Sequence, residues 1–165
     1  MNFHPTKSYS SVHLQNFIDN HLKNYAYERN YDYGDNNREN ISCMSPYISH
    51  GVIQEKEILK RSLKKYPFEI IEKFIQEVLW RTYWKGWLEL RPTLWNDYLK
   101  DLQDLENQKI NNGNYLNAIS GNTSIECFND WVIELKKNHY LHNHTRMWFA
   151  SIWIFTLKLP WQLGA

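Results

Sequence analysis

Cysteine is scarce in this chain of 165 residues: Cys43 and Cys127 are the only two, far apart and without CxxC spacing. A disulfide framework is thereby excluded as the source of stability, and two widely separated thiols suit a reducing compartment. Net charge is nearly absent as well. At +1, with a sequence pI near 7.8, the chain has no global field that would draw it to nucleic acid or to a membrane, and only a local patch could do so. No apolar run reaches the roughly 18 residues that a membrane span needs. The opening MNFHPTKSYS holds no apolar signal core, so a cytoplasmic location is expected. Internal repeats, low-complexity tracts and period-2 runs long enough for a sheet are missing too, which leaves an all-α fold.

What the chain has in excess is aromatic surface. Aromatic residues make up 16%, with eight tryptophans and eleven tyrosines, more than the core of one domain needs for filling. Stacking surfaces are therefore expected in a composition that is otherwise ordinary for a folded domain.

Helical periodicity places the elements. Val12, Leu14, Phe17, Ile18 and Leu22 form an apolar stripe on a helix over about residues 11–25, and the Asn-rich RNYDYGDNNREN that follows reads as an exposed loop. Ser45 is a suitable N-cap and Pro46 a suitable first residue for the next helix. From about Pro67 a longer helix carries Phe68, Ile71, Phe74, Ile75, Val78 and Leu79 on one side until Pro92 closes it, and residues 92–106 suit a short amphipathic helix. NQKINNGNYLNAISGN reads as a surface excursion. Thr123 to Glu126, TSIE, has the form of a capping box before Ile125, Phe128, Val132 and Leu135, and a last helix is expected from about His142 to Leu159.

Three constellations carry candidate chemistry. On the long helix Glu77, Trp80, Arg81 and Trp84 share a face, presenting a carboxylate, indoles and a guanidinium together; the plainer reading is a solvated Glu77–Arg81 pair at i,i+4. Near the C-terminus, in YLHNHTRMWFASIW, one face holds Asn143, Arg146, Met147 and Ala150, and the small Ala150 would let a flat ligand approach the backbone. His142 and His144 diverge on a helix. No Cys, Asp or Glu completes a set with His139 and His142, so no metal is expected. The third constellation is NISCMSPY, where Ser42 and Ser45 lie at a turn feeding a helix start, a place suited to an anion, with Arg29 able to add a charge-assisted contact.

Taken in order, Tyr25 and Arg29 (YxxxR), Ser42 to Ile53 (SxxSPYIxxGxI), Phe74 to Arg81 (FxxExxWR), Gly121 to Ser151 with YLHNHxRMxxAS, and the closing LPWQLGA resemble the FAD-binding helical domain of the DNA photolyase/cryptochrome family. The resemblance covers about residues 25–165 and is similar to stand-alone bacterial members. It implies FAD as cofactor and light-driven repair of pyrimidine dimers in DNA, single strands included. It implies contacts to the FAD phosphates and ribitol from Tyr25, Arg29, Ser42, Cys43, Met44 and Ser45, with Arg81 near the pyrophosphate and Phe74 also binding the cofactor. Glu77 and Trp80 would hold and stack upon the flipped dimer, Asn143 would stand between flavin and lesion, Arg146 beside the flavin ring, and Met147 against the lesion. Trp161 would be the middle member of a tryptophan chain that photoreduces the flavin.

The chain starts directly in helices, so no antenna domain is expected, and residues 1–165 are read as one partial FAD-binding domain. It stops at Ala165, short of the segment that in the family carries two aspartates at the flavin ring, which leaves self-association or a partner segment to complete the pocket. Ile41 precedes Ser42 where photolyases often have Thr, His144 stands where many have Arg, and residues 110–118 offer no counterpart of the exit tryptophan. Two other readings stay open: a cryptochrome-like flavoprotein that senses light or stores redox equivalents, and a helical domain that binds no flavin. The run LKRSLKK, Leu59 to Lys65, could form a local basic patch on a protein otherwise weakly charged for DNA.

Overall fold

A computed structural model describes residues 3–107 and 113–165. Among these residues every regular element is helical, so the all-α expectation holds. The chain divides into two compact units, Met1–Trp87 and Leu88–Ala165.

The first unit opens with α1 (Lys7–Asn20), capped by Thr6, whose hydroxyl accepts from the Tyr9 N–H at 3.3 Å. That cap starts the helix one turn before the expected Ser11; Val12, expected on the buried stripe, is exposed to solvent while Leu14, Phe17 and Ile18 are buried. A short 3₁₀ turn (Leu22–Asn24) leads into α2 (Tyr25–Glu28). The polar stretch after Arg29 is less exposed than its composition suggests. Arg38 is buried against the Asp32 carboxylate, with Nη2 donating at 3.1 and 3.2 Å to its two oxygens, and Asn40 Nδ2 donates to the Glu28 and Tyr31 carbonyls at 2.8 Å each. Side-chain bonds to backbone thus replace regular structure there and pin the loop.

α3 (Ser45–Ser49) begins as expected, but its N-cap is Met44 with no side-chain bond; Ser45 is the first helical residue and not the cap. Gly51, at φ 68°, turns the chain towards α4 (Glu55–Lys65), which is amphipathic and buries Ile58 and Ser62. The long α5 (Phe68–Glu89) buries Ile71, Phe74 and Ile75, while Phe68 and Leu79, expected on the same stripe, stay nearly half exposed. Leu14, Phe17, Ile18, Leu22, Met44, Tyr47, Ile53 and Ile58 close around the buried side of α5 as this unit's core.

In the second unit α6 (Thr93–Asn107) follows Pro92. Of the expected surface excursion, residues 108–112 lie outside the described residues, as does that part of the segment searched for an exit tryptophan. Gly113–Ser120, however, is helical (α7). Tertiary contact overrides the weak helix propensity of its Asn and Gly: Ala118 is fully buried beside Phe128 and Val132 of α8 (Glu126–Asn138). Gly121, at φ 73°, ends α7.

The expected Thr123/Glu126 capping box is not formed. α8 has Ile125 as N-cap, and the reciprocal partner of Thr123 is Asn129: the Thr123 N–H and hydroxyl both donate to Asn129 Oδ1 (2.8 and 2.7 Å), and Asn129 Nδ2 returns a bond to the Thr123 carbonyl at 2.8 Å. A carboxamide can both donate and accept, which a carboxylate at Glu126 cannot.

α9 (Asn143–Ser151) is capped by His142, whose Nδ1 accepts from the His144 N–H at 3.1 Å. The expected continuation to Leu159 changes character at Ile152. Over Ile152–Thr156 the helix widens into a π-type turn with Leu157 N–H donating to the Ile152 carbonyl at 2.9 Å, and Lys158 at φ 55° takes the chain out of it. Trp153 anchors this segment, buried, with Nε1 donating to the Pro160 carbonyl at 2.8 Å. Phe128 stacks on Phe149 (4.6 Å) and Phe149 on Trp153 (6.5 Å), giving this smaller core an aromatic spine.

Candidate functional site

In the first unit the candidate residues gather around Tyr25. Its ring meets Phe17 and Phe74 edge-on, at centroid distances of 6.1 and 5.2 Å, and those two rings lie 5.4 Å from each other. Burial, assisted by the nearby Glu77 carboxylate, pushes the Tyr25 phenol well above its ordinary range, so its O–H remains a hydrogen-bond donor. Arg29, one turn on, donates from Nη1 to the Ala26 carbonyl at 2.6 Å and has Nε 3.8 Å from Glu77 Oε1.

The expected solvated pair of Glu77 with Arg81 is replaced by two other pairings. Glu77 turns to Arg29, while Arg81 has Nε 3.4 Å from Glu55 Oε1 and donates from Nη2 to the Ser49 hydroxyl at 2.9 Å. Both guanidinium groups therefore belong to structured networks, with Arg29 and Arg81 each less than a third exposed at the side chain. Trp80 is half exposed on the same helix, packed edge-on to Tyr83 and stacked with Trp84.

The turn before α3 has Ser42 and Ser45 half-buried and Cys43 and Met44 buried. Cys43 adopts φ 49°, a left-handed conformation that residues with a Cβ adopt rarely and that marks a constrained turn. The Ser42 carbonyl is held by a His13 ring nitrogen at 3.0 Å. Cys43 and Cys127 are both free thiols.

In the second unit Asn143, Arg146, Met147 and Ala150 occupy the exposed side of α9. Arg146 is the organised member: Nε donates to the Leu141 carbonyl at 3.1 Å, and the guanidinium lies 5.1 Å over the Tyr140 ring. Arg146, Ala150 and Trp161 line a cleft of about 500 Å³ together with Tyr140, Phe149 and Trp153. Trp161 is half exposed, and its ring lies 5.6 Å from Tyr98, whose hydroxyl donates to the Gln162 carbonyl at 3.3 Å. Asn143 and Met147 do not line this cleft.

Tyr140 and Tyr98 were not among the candidates from sequence. The only signal for Tyr140 was an aromatic residue beside a polar helix start, and for Tyr98 there was none. Among the described residues no group of three or more His, Cys, Asp or Glu side chains is placed to hold a metal ion, and no helix is long and apolar enough to cross a membrane.

Comparison with known proteins adds a decisive observation. The chain is 26% identical over 170 residues, 99% of its length, to a deoxyribodipyrimidine photo-lyase of Buchnera aphidicola subsp. Acyrthosiphon pisum. It is 30% identical over 149 residues to the protein of that name from Buchnera aphidicola subsp. Baizongia pistaciae, and 24% identical over 159 residues to that from Vibrio cholerae serotype O1. The chain belongs to the photolyase family. It covers 34%, 30% and 32% of these three proteins, so it spans about a third of the length of the curated relatives it matches. No family model matches the chain, and no solved structure matches it. Photolyase membership accords with the all-helical architecture.

Proposed function

We infer that this photolyase-family chain binds FAD and takes part in light-driven repair of pyrimidine dimers in DNA, in the cytoplasm. The observation that carries the reading is the similarity over 85–99% of the chain to proteins named deoxyribodipyrimidine photo-lyase. The side chains present suit a flavin. A cleft of about 500 Å³ lies within the roughly 300–1,000 Å³ range of small-molecule sites, is walled by aromatic rings and the small Ala150, and carries one fixed cation, Arg146. The Tyr25 phenol, kept protonated, is suited to donate to a phosphate oxygen.

Under this reading Tyr25, Arg29, Ser42, Cys43, Met44, Ser45 and Arg81 would contact the phosphates and ribitol, with Phe74 holding the Tyr25 ring. Cys43 and Met44, being buried, would contribute backbone groups. Asn143 and Arg146 would hydrogen-bond the flavin ring, and Trp161 would serve its photoreduction. Glu77 and Trp80 would receive an extruded dimer, the carboxylate accepting from base N–H groups and the indole stacking, with Met147 as an apolar contact. Extruding a base costs a few kcal/mol, and least for a lesion already poorly stacked. A reduced flavin held by these residues would supply light-driven electron donation to the dimer, redox-neutral over the whole cycle.

The test is the Glu77→Ala variant in parallel with the parent chain. The expected result is unchanged flavin content with lost affinity for dimer-containing single strands and no recovery of base absorbance under blue light. Equal dimer binding by variant and parent would overturn the assignment of Glu77 to the lesion.

A further inference from the structure

His13 reaches across 29 residues of sequence to the backbone of the turn before α3. It stands on α1 next to Leu14, and the burial of Leu14, Phe17 and Ile18 fixes that helix on its core, so the imidazole projects from a rigid element. Its Nε2 lies 3.0 Å from the Ser42 carbonyl oxygen. A carbonyl only accepts, so Nε2 carries the hydrogen, as it does in the charged ring and in one neutral tautomer. Tyr9, one turn earlier, lies parallel to the imidazole, with centroids 6.2 Å apart and planes inclined by 7°.

The bond fixes more than an oxygen. In a trans peptide the carbonyl and the following N–H point in opposite directions. Holding the Ser42 oxygen towards α1 therefore turns the Cys43 N–H away from it. The same peptide plane sets φ of Cys43, which is 49°. Rotating that plane changes ψ of Ser42 and φ of Cys43 together: it would return Cys43 to the region that a residue with a Cβ prefers, and it would reverse the N–H.

The flanking chain does not oppose the rotation, because it is fixed on both sides independently of this peptide. Asn40 Nδ2 is pinned to the Glu28 and Tyr31 carbonyls, and the Met44 carbonyl accepts from the Ile48 N–H at 3.1 Å. The left-handed preference against Cys43 and the net contribution of one hydrogen bond are of similar size, so the His13 bond is enough to decide between the two orientations.

On the flavin reading above, the backbone of this turn meets the diphosphate. Successive N–H groups of a left-handed and a right-handed residue form a concavity for anions, and Met44, at φ −85° and ψ −10°, supplies the right-handed member after Cys43. A reversed peptide would present the Ser42 oxygen in place of the Cys43 N–H, and that oxygen repels phosphate.

We propose that His13 is a positioning residue for the diphosphate of the cofactor: by donating to the Ser42 carbonyl it holds the Ser42–Cys43 peptide in the orientation that turns the Cys43 N–H outward. The proposal rests on the flavin reading and adds to it a residue of α1 that does not itself touch the cofactor.

The test uses the full chain titrated with FAD and with riboflavin, which has the ring and ribitol but no phosphate, followed by flavin fluorescence. His13→Leu should weaken FAD about three- to tenfold, the range of one net hydrogen bond, and leave riboflavin unchanged. His13→Gln, whose amide can still donate to the Ser42 oxygen, should recover most of the loss. Cys43→Gly added to His13→Leu should recover part of it, because glycine takes a left-handed φ without strain. Should leucine disturb α1, His13→Ala removes the same donor and should show the same selective loss.

A readout without flavin is the NOE between the amide and α protons of Cys43, which a left-handed φ brings close together. It should be strong in the parent, fade in His13→Leu and persist in His13→Gln. Equal FAD affinity of His13→Leu and the parent, equal losses for FAD and riboflavin, or an unchanged NOE would each overturn the proposal. A parent that retains no FAD, with the NOE still lost in His13→Leu, would leave the turn under the control of His13 and remove the flavin reading.

Discussion

Replacing Phe74 with leucine should loosen the ring triangle that holds Tyr25. Phe74 is buried and touches Phe17 at 5.4 Å and Tyr25 at 5.2 Å, the second contact nearly perpendicular at 81°. Leucine retains most of the apolar volume, so the transfer component changes little and the loss is that of two ring–ring contacts, each about 0.5–1.5 kcal/mol. A total of about 2 kcal/mol lowers the melting temperature of a domain this size by roughly 4–8 °C. Tyr25→Phe keeps the triangle and should shift melting by much less, yet remove the donor assigned to phosphate. Scanning calorimetry checks the first pair of expectations and FAD retention the second: Phe74→Leu loses stability and some flavin, Tyr25→Phe mainly flavin. Phe74→Leu melting with the parent would refute the claim that the triangle positions Tyr25.

Other outcomes follow from single observations. Arg146→Lys removes the planar group over Tyr140 and the Nε bond to the Leu141 carbonyl, so FAD affinity measured by flavin fluorescence should fall at least several-fold while melting changes little. Gly121→Ala puts a side chain at φ 73° and a Cβ 3.2 Å from the Asn129 carbonyl oxygen, and should destabilise by about 1–2 kcal/mol in urea unfolding. The Asp19–Lys65 pair, 2.9 Å apart, holds the Asp19 carboxyl below its ordinary range and the Lys65 ammonium above its own. For the depressed carboxyl the stabilisation is present above the unfolded value and lost as pH falls through the folded one; for the raised ammonium it is present below the unfolded value and lost as pH rises through the folded one. Asp19→Asn should therefore melt slightly below the parent between about pH 4 and pH 10 at low salt, and the gap should close in acid and at high salt.

Much of the helical layout was legible because periodicity and proline are strong local signals: α5 starts after Pro67 and α6 after Pro92 as expected. What was not legible depended on partners distant in sequence. α7 is a helix because Ala118 finds Phe128 and Val132, which no propensity in NNGNYLNAIS reveals. Thr123 pairs with Asn129 and not Glu126, a choice fixed by the side-chain chemistry at the turn. At the candidate site, the shared exposed face of Asn143, Arg146, Met147 and Ala150 could be read from helical spacing, whereas the crossing of Arg29 to Glu77 and Arg81 to Glu55 could not, since i,i+4 spacing favours a different pair. Tyr140 entered only through its contact with Arg146.

The measurement that tests the central claim most directly is the visible absorbance spectrum of the purified chain after incubation with FAD and desalting. The flavin-binding account predicts a retained band with resolved vibronic shoulders in the parent, diminished in Tyr25→Phe and Arg146→Lys. A colourless parent chain would contradict it.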